Sequence, residues 1–381
     1  MAIIDVVMPV FNCKKYIEES IRSIQSQTIE DIRIIIVDDG STDGTSGIIA
    51  ALAQEDSRIV HHLQKNAGIV AALNNGLQLC QAPYIARMDG DDIAYPDRFA
   101  KELHYLEQNQ NCVGVSGRVR HINPDGQALG TITKVKDENL ITAWSIPANE
   151  PSLIHPMLMC RRDAIQKTGG YRYIYQAEDT DLYWRLSDVG TLHNLNDILG
   201  DYRIHPDSLS SQSIKAGRQQ AVWSQLAAIS EQRRKTGRQD LDFSAAFMQR
   251  IRSFEHLPVL IHEISKKLSS DERTWFQCAV SAKLIEMSYY RPYEPEPEDI
   301  DVIRICTKQY PELRHMVGYT IFHEGIISCG IRLIGQRRFT DARRLAGLQN
   351  MPKVLARAIF RYALPTDLKT QIKTFLKRSK A

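Results

Sequence analysis

The chain has 381 residues, of which 43% are hydrophobic and 24% are charged, a composition typical of globular proteins. Its formal net charge of +3 is close to neutral, which argues against a nucleic-acid-binding protein. The seven cysteines are scattered without a CxxC pair, so they indicate neither a zinc site nor a disulfide framework and fit a reducing cytoplasm. No uncharged apolar run reaches the roughly 18 residues that span a bilayer. The N-terminus has the pattern of a first strand, not of a signal peptide, and we expect a soluble or peripheral protein.

Up to about residue 205, short β-branched runs alternate with segments of helical spacing. This pattern predicts an α/β domain with a mostly parallel sheet and helices on both faces. Strands are predicted at Ile3–Val10, Ile32–Val37, RIVHHL and YIARM. In the first helical segment, Ile17, Ile21 and Ile24 follow the i, i+4, i+7 spacing of one buried helical face.

From about Ile214 onward the strand pattern disappears and the remaining segments have helical spacing. A polar stretch at residues 208–215 marks the expected boundary, and the proline- and acid-rich RPYEPEPEDID (291–301) is interpreted as a solvated linker. The sequence therefore predicts an α/β domain over residues 1–212 and a helical domain over residues 213–381.

The segment IARMDGDD (85–92) ends an apolar strand with three acids, Asp89, Asp91 and Asp92. Two carboxylates about 5 Å apart repel by roughly 3 kcal/mol at an effective dielectric near 20. Asp38 and Asp39 also follow a strand, and open parallel sheets bind ligands at the carboxyl ends of their strands. A lone DxD is equally compatible with a solvated turn. In this context, hard oxygen ligands favour Mg²⁺ or Mn²⁺ bound together with the phosphates of a substrate.

Six motifs occur in an order and spacing that resemble the family 2 glycosyltransferases of the GT-A fold. They are VVMPVFN (6–12), IVDDGSTDGT (36–45), KNAGIVAALNNG (65–76), YIARMDGDDI (84–93), HP (155–156) and QAEDTDLYWRL (176–186). The resemblance spans about residues 3–210, just over half of the chain. It implies an inverting, metal-dependent hexosyl- or N-acetylhexosaminyltransferase. The donor would be a nucleoside diphosphate sugar, a UDP-sugar in the first instance, and the acceptor a glycan or lipid-linked glycan in cell-surface polysaccharide synthesis.

The resemblance assigns one set of residues to the nucleotide. Pro9 and Val10 would line the base pocket, and Asp39 would accept a hydrogen bond from the pyrimidine ring. Asp38 would hold the turn or the ribose. Lys65 lies near the nucleotide in this scheme, although an exposed surface lysine is an equal interpretation.

A second set belongs to the diphosphate and its metal. Asp89 and Asp91 match the DxD motif of the family, with Asp89 near the ribose and Asp91 as the ligand of Mg²⁺ or Mn²⁺. Asp92 shares the metal in some members, and His205 matches a position that can add an imidazole ligand. Arg87 would pair with one of the acids or line the sugar pocket.

The acceptor side is assigned to the start of QAEDTDLYWRL. Asp179 would be the general base that takes the proton of the acceptor hydroxyl, and Glu178 would orient the acceptor. His155, before a proline, would hold the acceptor loop. Asp181 is interpreted as a structural acid near the helix start.

Residues 351–381 carry eight Lys and Arg against the single acid Asp367. With Thr366 as a candidate N-cap, the final segment predicts a basic amphipathic helix whose apolar face contains Leu368, Ile372, Phe375 and Leu376. Such a helix can bind an anionic membrane surface, which would place a cytoplasmic protein at the inner face of the cell membrane. The alternative is a helix packed on its own domain with its lysines in water.

Two other hypotheses remain at this stage. An apolar strand followed by DxDx also describes the nucleophile loop of Mg²⁺-dependent phosphatases of the haloacid dehalogenase type. That motif, however, prefers Thr or Val where Ile93 stands and lies on the first strand. The remaining hypothesis is a non-catalytic protein that binds a nucleotide sugar.

Overall fold

The computed structural model describes residues 2–174, 176–205, 214–252, 254, 256–289 and 293–363. The strands are β1 (Ile4–Val10), β2 (Ile32–Asp38), β3 (Ile59–Leu63), β4 (Tyr84–Arg87), β5 (Ile93–Ala94), β6 (Cys112–Ile122), β7 (Ala128–Ile132), β8 (Met159–Arg161) and β9 (Thr191–Arg203). Short 3-10 turns lie at Glu138–Leu140, His155–Met157 and Pro311–His315.

The helices of the first half are α1 (Ile17–Gln25), α2 (Thr45–Glu55), α3 (Ile69–Leu79), α4 (Arg98–Gln108), α5 (Arg162–Thr168) and α6 (Glu178–Ser187). They are followed by α7 (Ile214–Lys235), α8 (Ala245–Arg252), α9 (Leu257–Ser265), α10 (Ser270–Met287), α11 (Pro297–Gln309), α12 (Tyr319–Gly335) and α13 (Phe339–Ala358). A π-helical turn at Ile359–Ala363 ends the described chain.

The strands form one sheet in the order β3-β2-β1-β4-β8-β6-β9-β5, with β7 paired to β6. The first four strands are parallel, as is the pair β6–β9, whereas β8 and β5 run antiparallel to their neighbours. In the parallel part, Val10 pairs with Asp38 and Val7 pairs with Arg87. The carboxyl ends of β1, β2 and β4 therefore meet at one edge of the sheet.

Helices cover both faces of this sheet. The alternation of β1 directs Ile4, Val6 and Met8 into a cluster with α1, α2 and α4, while Val7 joins the opposite cluster with α3, α5 and α6. The three isoleucines of α1 are completely buried, as their spacing predicted. Since burial of such a side chain stabilises by about 1.5–3 kcal/mol, each face contributes substantially to folding. The predicted α/β architecture, followed by helices, is confirmed.

The chain divides into two compact units. The first contains the described residues within 1–143, 150–212 and 230–249, and the second contains those within 144–149, 213–229 and 250–381. The division into domains 1–212 and 213–381 stays a prediction. The predicted amphipathic helix within residues 364–381 and most of the polar stretch at residues 208–215 lie outside the described residues.

The segment interpreted as a linker contains the start of a helix, so that interpretation was wrong for its second half. Helix α11 begins at Pro297, and a capping box joins Glu296 to Asp299. Proline suits the first helical turn and acids suit the positive end of the helix dipole, so the same residues that suggested a linker start a helix. In the described part of the chain, no helix combines the length and apolar character needed to cross a membrane.

Candidate active site

The acidic loop after β4 is compact. One carboxylate oxygen from each of Asp89, Asp91 and Asp92 lies within 4.8 Å of the other two. Gly90 allows the loop to approach β1 closely, because a Cβ at this position would lie 3.0 Å from Val10 Cγ1. The loop therefore passes directly against the end of β1, and the three acids share one small volume at the edge of the sheet.

The end of β9 holds this loop from the other side. The backbone N–H of Arg203 donates to Asp92 Oδ1 at 2.8 Å, and its Nε donates to the carbonyl oxygen of Asp91 at 2.8 Å. His205 Nε2 lies 2.8 Å from Asp91 Oδ2. Antiparallel pairing of β5 with β9 brings the two segments together. Arg203 was missed from the sequence, although its position two residues before His205 on the same strand end was a usable signal.

The loop fits a divalent cation. Asp92 Oδ2 is buried and has no hydrogen-bond partner among the described residues. Burial first, and then the charges of Asp91 and Asp89, raise the pKa of Asp92 well above its usual value. Burial also raises the pKa of Asp89, in spite of the opposing effect of Arg87. An orphaned buried oxygen among repelling carboxylates is what a cation with hard oxygen ligands would neutralise. Asp91, Asp92 and His205 are the residues placed to hold it.

Arg87 is the cation already present in the site. It is 4% exposed at the end of β4, and its Nη2 lies 2.5 Å from Asp89 Oδ1. Burial alone would lower the pKa of Arg87, but Asp89 and Tyr171 raise it above its usual value. Its Nε and Nη1 are buried without a partner within the described chain. The guanidinium therefore has donor capacity left for a ligand.

Glu178 and Asp179 open α6 and face the same charge. Burial first, and then Asp179, raise the pKa of Glu178 to about 8, while Arg87 acts in the opposite direction. Burial raises the pKa of Asp179 as well, against the lowering effects of Thr180 and Arg87. Asp179 Oδ1 accepts a hydrogen bond from Thr180 N at 2.6 Å. Two carboxyl groups with raised pKa values at one helix start are typical of acid–base chemistry.

The third acid of this helix is structural. Asp181 is fully buried and forms ion pairs with Arg172 and with Arg185, the second of them at 2.6 Å. Arg185 in turn donates to the carbonyl oxygens of Thr168 and Gly170 at the end of α5. Asp181 thus fixes α6 to its neighbours, and its carboxylate is fully engaged in these ion pairs.

His155 contacts Tyr171 and Tyr183, a residue of α6. Its Nε2 is 2.8 Å from the hydroxyl of Tyr171, and its ring meets Tyr183 edge-on with centroids 6.2 Å apart. Burial, followed by the charge of Arg87, lowers the pKa of His155 well below its usual value. A neutral imidazole fixed by a tyrosine is suited to positioning a loop.

The nucleotide-side residues lie at the ends of β1 and β2. Pro9 and Val10 are buried, and Val10 pairs with Asp38 across the sheet. Asp38 Oδ1 accepts from Ser41 N at 2.9 Å, and Oδ2 accepts from the hydroxyl of Ser46. Both oxygens of Asp38 are therefore engaged in holding the turn that leads into α2.

Asp39 holds the loop between β3 and α3. Its Oδ1 accepts from Gln64 Nε2 at 2.7 Å and from Ala67 N at 2.8 Å, and its Oδ2 accepts from Gly68 N at 2.8 Å. Lys65, in the same loop, is exposed. The contact of Asp39 with a pyrimidine ring and that of Lys65 with a phosphate stay predictions.

Comparison with known proteins gives the family. Residues 5–169 match the model of Glycosyl transferase family 2. The O-antigen biosynthesis glycosyltransferase WbnJ of Escherichia coli is 32% identical over 219 residues, which cover 55% of this chain and 83% of WbnJ. Chondroitin synthase of Escherichia coli is 30% identical over 217 residues, which cover 56% of this chain but only 30% of the synthase. A solved structure of S. aureus TarS 1-349 in complex with UDP-GlcNAc aligns with a TM-score of 0.49 and 17% identity, covering 82% of this chain and 92% of that one.

The phosphatase hypothesis is not favoured by these matches. The family model covers the acidic loop as well as the strands on either side of it. Ile93 moreover begins strand β5, which pairs with β9.

Proposed function

The chain belongs to glycosyl transferase family 2 and is a glycosyltransferase, and from this premise we propose the reaction that it catalyses. A hexose or N-acetylhexosamine passes from a UDP-sugar to a glycan or lipid-linked acceptor, with inversion at the anomeric carbon. The proposed setting is cell-surface polysaccharide synthesis on the cytoplasmic side of the membrane. Two matching relatives, the O-antigen glycosyltransferase and chondroitin synthase, have names that support such a setting.

The observation that carries the proposal is the electrostatic connection between two groups of carboxylates through Arg87. Arg87 contacts Asp89 directly and also lowers the pKa of both Glu178 and Asp179. In turn, the charge of Asp89 raises the pKa of Glu178. A diphosphate leaving group beside the acidic loop after β4 and an acceptor hydroxyl beside Glu178 and Asp179 would then lie on opposite sides of the transferred sugar.

The proton transfer follows from this arrangement. The acceptor hydroxyl attacks the anomeric carbon as the bond from that carbon to the diphosphate oxygen breaks, and Asp179 takes the hydroxyl proton. Glu178 holds the acceptor by a hydrogen bond, and His155 keeps the neighbouring loop in place. Mg²⁺ or Mn²⁺, held by Asp91, Asp92 and His205, would supply positive charge for the departing diphosphate. Pro9, Val10, Asp38, Asp39 and Lys65 complete the donor site in this proposal.

A thermal-shift titration with UDP, GDP, CDP and dTDP, with and without Mn²⁺, tests the donor. A ligand at a hundred times its dissociation constant stabilises the native state by about 2.7 kcal/mol. We expect stabilisation by UDP that requires Mn²⁺ and is lost in Asp91→Asn. A metal-dependent shift with another nucleotide would change the donor, and no shift with any of the four would contradict the proposed donor site.

Contact with an anionic membrane through residues 364–381 remains part of the proposal. Its test is sedimentation of the full chain, and of a chain ending at residue 363, with phosphatidylglycerol vesicles. Equal sedimentation of both chains would remove the membrane contact from the proposal without affecting the transferase reaction.

A further inference from the structure

A cavity of about 830 Å³ lies within the second unit. It is bounded by α11, α12, the first half of α13 and the 3-10 turn that precedes α12. Five of its lining residues are basic, namely Arg304, Lys308, Arg314, Arg343 and Arg344, and none of the described lining residues is Asp or Glu. We call this feature the basic cavity.

Only part of this charge is neutralised by the protein. Asp301 of α11 pairs with Arg344 at 2.6 Å and lies 3.6 Å from Arg304. Lys308, Arg314 and Arg343 are exposed, and no acidic partner for them lies in the described ranges. One carboxylate therefore serves two of the five cations, and the other three leave an uncompensated positive field in the basic cavity.

The backbone adds to this field. Gly347 interrupts α13 with φ 69° and ψ 161°, a conformation that glycine adopts at little cost. A new helical segment starts after the break, and its first turn, which includes Leu348 and Asn350, lines the basic cavity. The first N–H groups of a helical segment have no acceptors within it and form its positive end. Side chains and backbone thus present the same sign of charge.

Aromatic rings, an amide and hydroxyl groups also line the basic cavity. The rings of Tyr319 and His323 lie 5.7 Å apart, and His323 Nε2 is 3.3 Å from Asn350 Oδ1. Thr307 and Thr340 add hydroxyl groups to the lining. Ring faces next to amides and hydroxyls suit sugar rings, and the volume lies in the range of about 300–1,000 Å³ that holds small ligands. A flat basic surface would suit a membrane better than this recess does.

We propose that the basic cavity binds an anionic saccharide, a segment of the acceptor glycan that carries carboxylate or phosphate groups. The identity of this ligand as an acceptor rests on the proposed function, whereas the binding of an anionic saccharide does not. Arg314, Arg343 and Lys308 contact the anionic groups, and the aromatic rings lie against the sugar. Binding here is equal in the ground state and the transition state, so it lowers the KM for an anionic acceptor and leaves kcat unchanged.

The test uses the full chain without donor or metal. Isothermal titration is carried out with a glucuronate-containing tetrasaccharide, a glycerol phosphate tetramer and the neutral maltotetraose. The variants are Arg343→Gln and Arg314→Gln, and the matched control is Arg337→Gln. Arg337 is an exposed arginine of the same unit that does not line the basic cavity. Each cavity variant should weaken binding of the glucuronate-containing tetrasaccharide by about tenfold, because a charge-assisted hydrogen bond is lost. The control should leave binding unchanged.

Several results would overturn the proposal of an anionic-saccharide site or separate it from the proposed function. The proposal would be overturned if maltotetraose bound as tightly as the anionic probes. It would also be overturned if Arg337→Gln weakened binding as much as the cavity variants do. Either result would mean that the charge of the basic cavity does not discriminate between anionic and neutral ligands. Binding of phosphatidylglycerol vesicles through Arg343, without binding of either anionic tetramer, would also overturn it in favour of a lipid headgroup. Asp179→Asn should bind the probes like the wild type. If transfer fails with every donor while probe binding persists, the proposed function fails and the anionic-saccharide site stands.

Discussion

His205 Nε2 lies 2.8 Å from Asp91 Oδ2, although 114 positions separate the two residues in the chain. The contact exists because β9 pairs with β5 directly after the acidic loop and delivers its own end to Asp91. The ring of Tyr16 also packs against the imidazole, with the two ring centroids 5.1 Å apart. A carboxylate and an imidazole fixed in this way could act as ligands of the proposed metal ion without rearrangement.

His205→Ala should therefore raise the Mn²⁺ concentration needed for half-maximal transfer by about tenfold or more, as loss of a metal-orienting group does elsewhere. The measurement is initial rate against Mn²⁺ concentration at saturating donor. His121→Ala is the control, since His121 contacts Thr131 on β7 and none of the acids of the site. An unchanged Mn²⁺ requirement in His205→Ala would remove His205 from the metal site.

Asp179 and Asp181 provide a matched pair of substitutions on one helix. Asp179→Asn should lower kcat by about 10²–10⁴-fold and leave the melting temperature close to that of the wild type, because only the proton acceptor is lost. Asp181→Asn should instead destabilise the fold by about 3–5 kcal/mol, since Arg172 and Arg185 would lose their buried partner. Full activity in Asp179→Asn, measured as sugar transfer at saturating substrates, would eliminate it as the base.

Glu178 should make the metal-free protein less stable as the pH rises. Its pKa in the folded state is about 8, above the usual 4.5, so the native state holds a proton that the unfolded state releases. Its contribution to stability is complete below pH 4.5 and is lost as the pH rises towards 8. Glu178→Gln lacks this titration, so the difference in free energy of unfolding between Glu178→Gln and the wild type should be larger at pH 9 than at pH 5, by about 4 kcal/mol in favour of the variant. Urea unfolding at both pH values measures this, and a pH-independent difference would contradict the assigned pKa.

The sequence predicted those parts of the molecule that depend on local pattern. The alternation of β1 and the spacing of Ile17, Ile21 and Ile24 follow from burial against a sheet, so periodicity was sufficient to place them. The acids after β4 were recognisable because three carboxylates directly follow an apolar strand.

Non-local contacts were beyond the sequence. The support of the acidic loop by Arg203 depends on the pairing of β5 with β9, and a strand of two residues gives no detectable pattern. The double ion pair of Asp181 joins α6 to Arg172, and neither residue carries a sign of its partner. Residues 144–149 belong to the second unit and residues 230–249 to the first. These assignments depend on tertiary packing, which the hydrophobic periodicity of a single segment does not reveal.

Arg87 should control the pH at which the base becomes active. In the wild type its charge lowers the pKa of Asp179 and opposes the effect of burial. Arg87→Gln removes that charge, so the acidic limb of the kcat/KM profile, where Asp179 becomes protonated, should move to higher pH. Arg87→Lys keeps the charge and should retain most of the wild-type profile, even though it loses the planar contact with Asp89. An acidic limb at the same pH in all three proteins would show that Arg87 does not act on Asp179.

Gly90 should tolerate even an alanine side chain poorly. A Cβ at this position would lie 3.0 Å from both Cys13 Sγ and Val10 Cγ1, so in Gly90→Ala either these side chains or the acidic loop must shift. We expect a loss of about 1–3 kcal/mol in free energy of unfolding, as for other overpacked sites, together with weaker metal-dependent binding of UDP. Gly47→Ala is the control, because nothing lies within 4 Å of its Cβ position and α2 should gain about 0.4–1 kcal/mol from reduced unfolded-state entropy. Denaturant unfolding and the UDP thermal shift measure both effects. Wild-type behaviour of Gly90→Ala in both would mean that the loop does not need its close approach to β1.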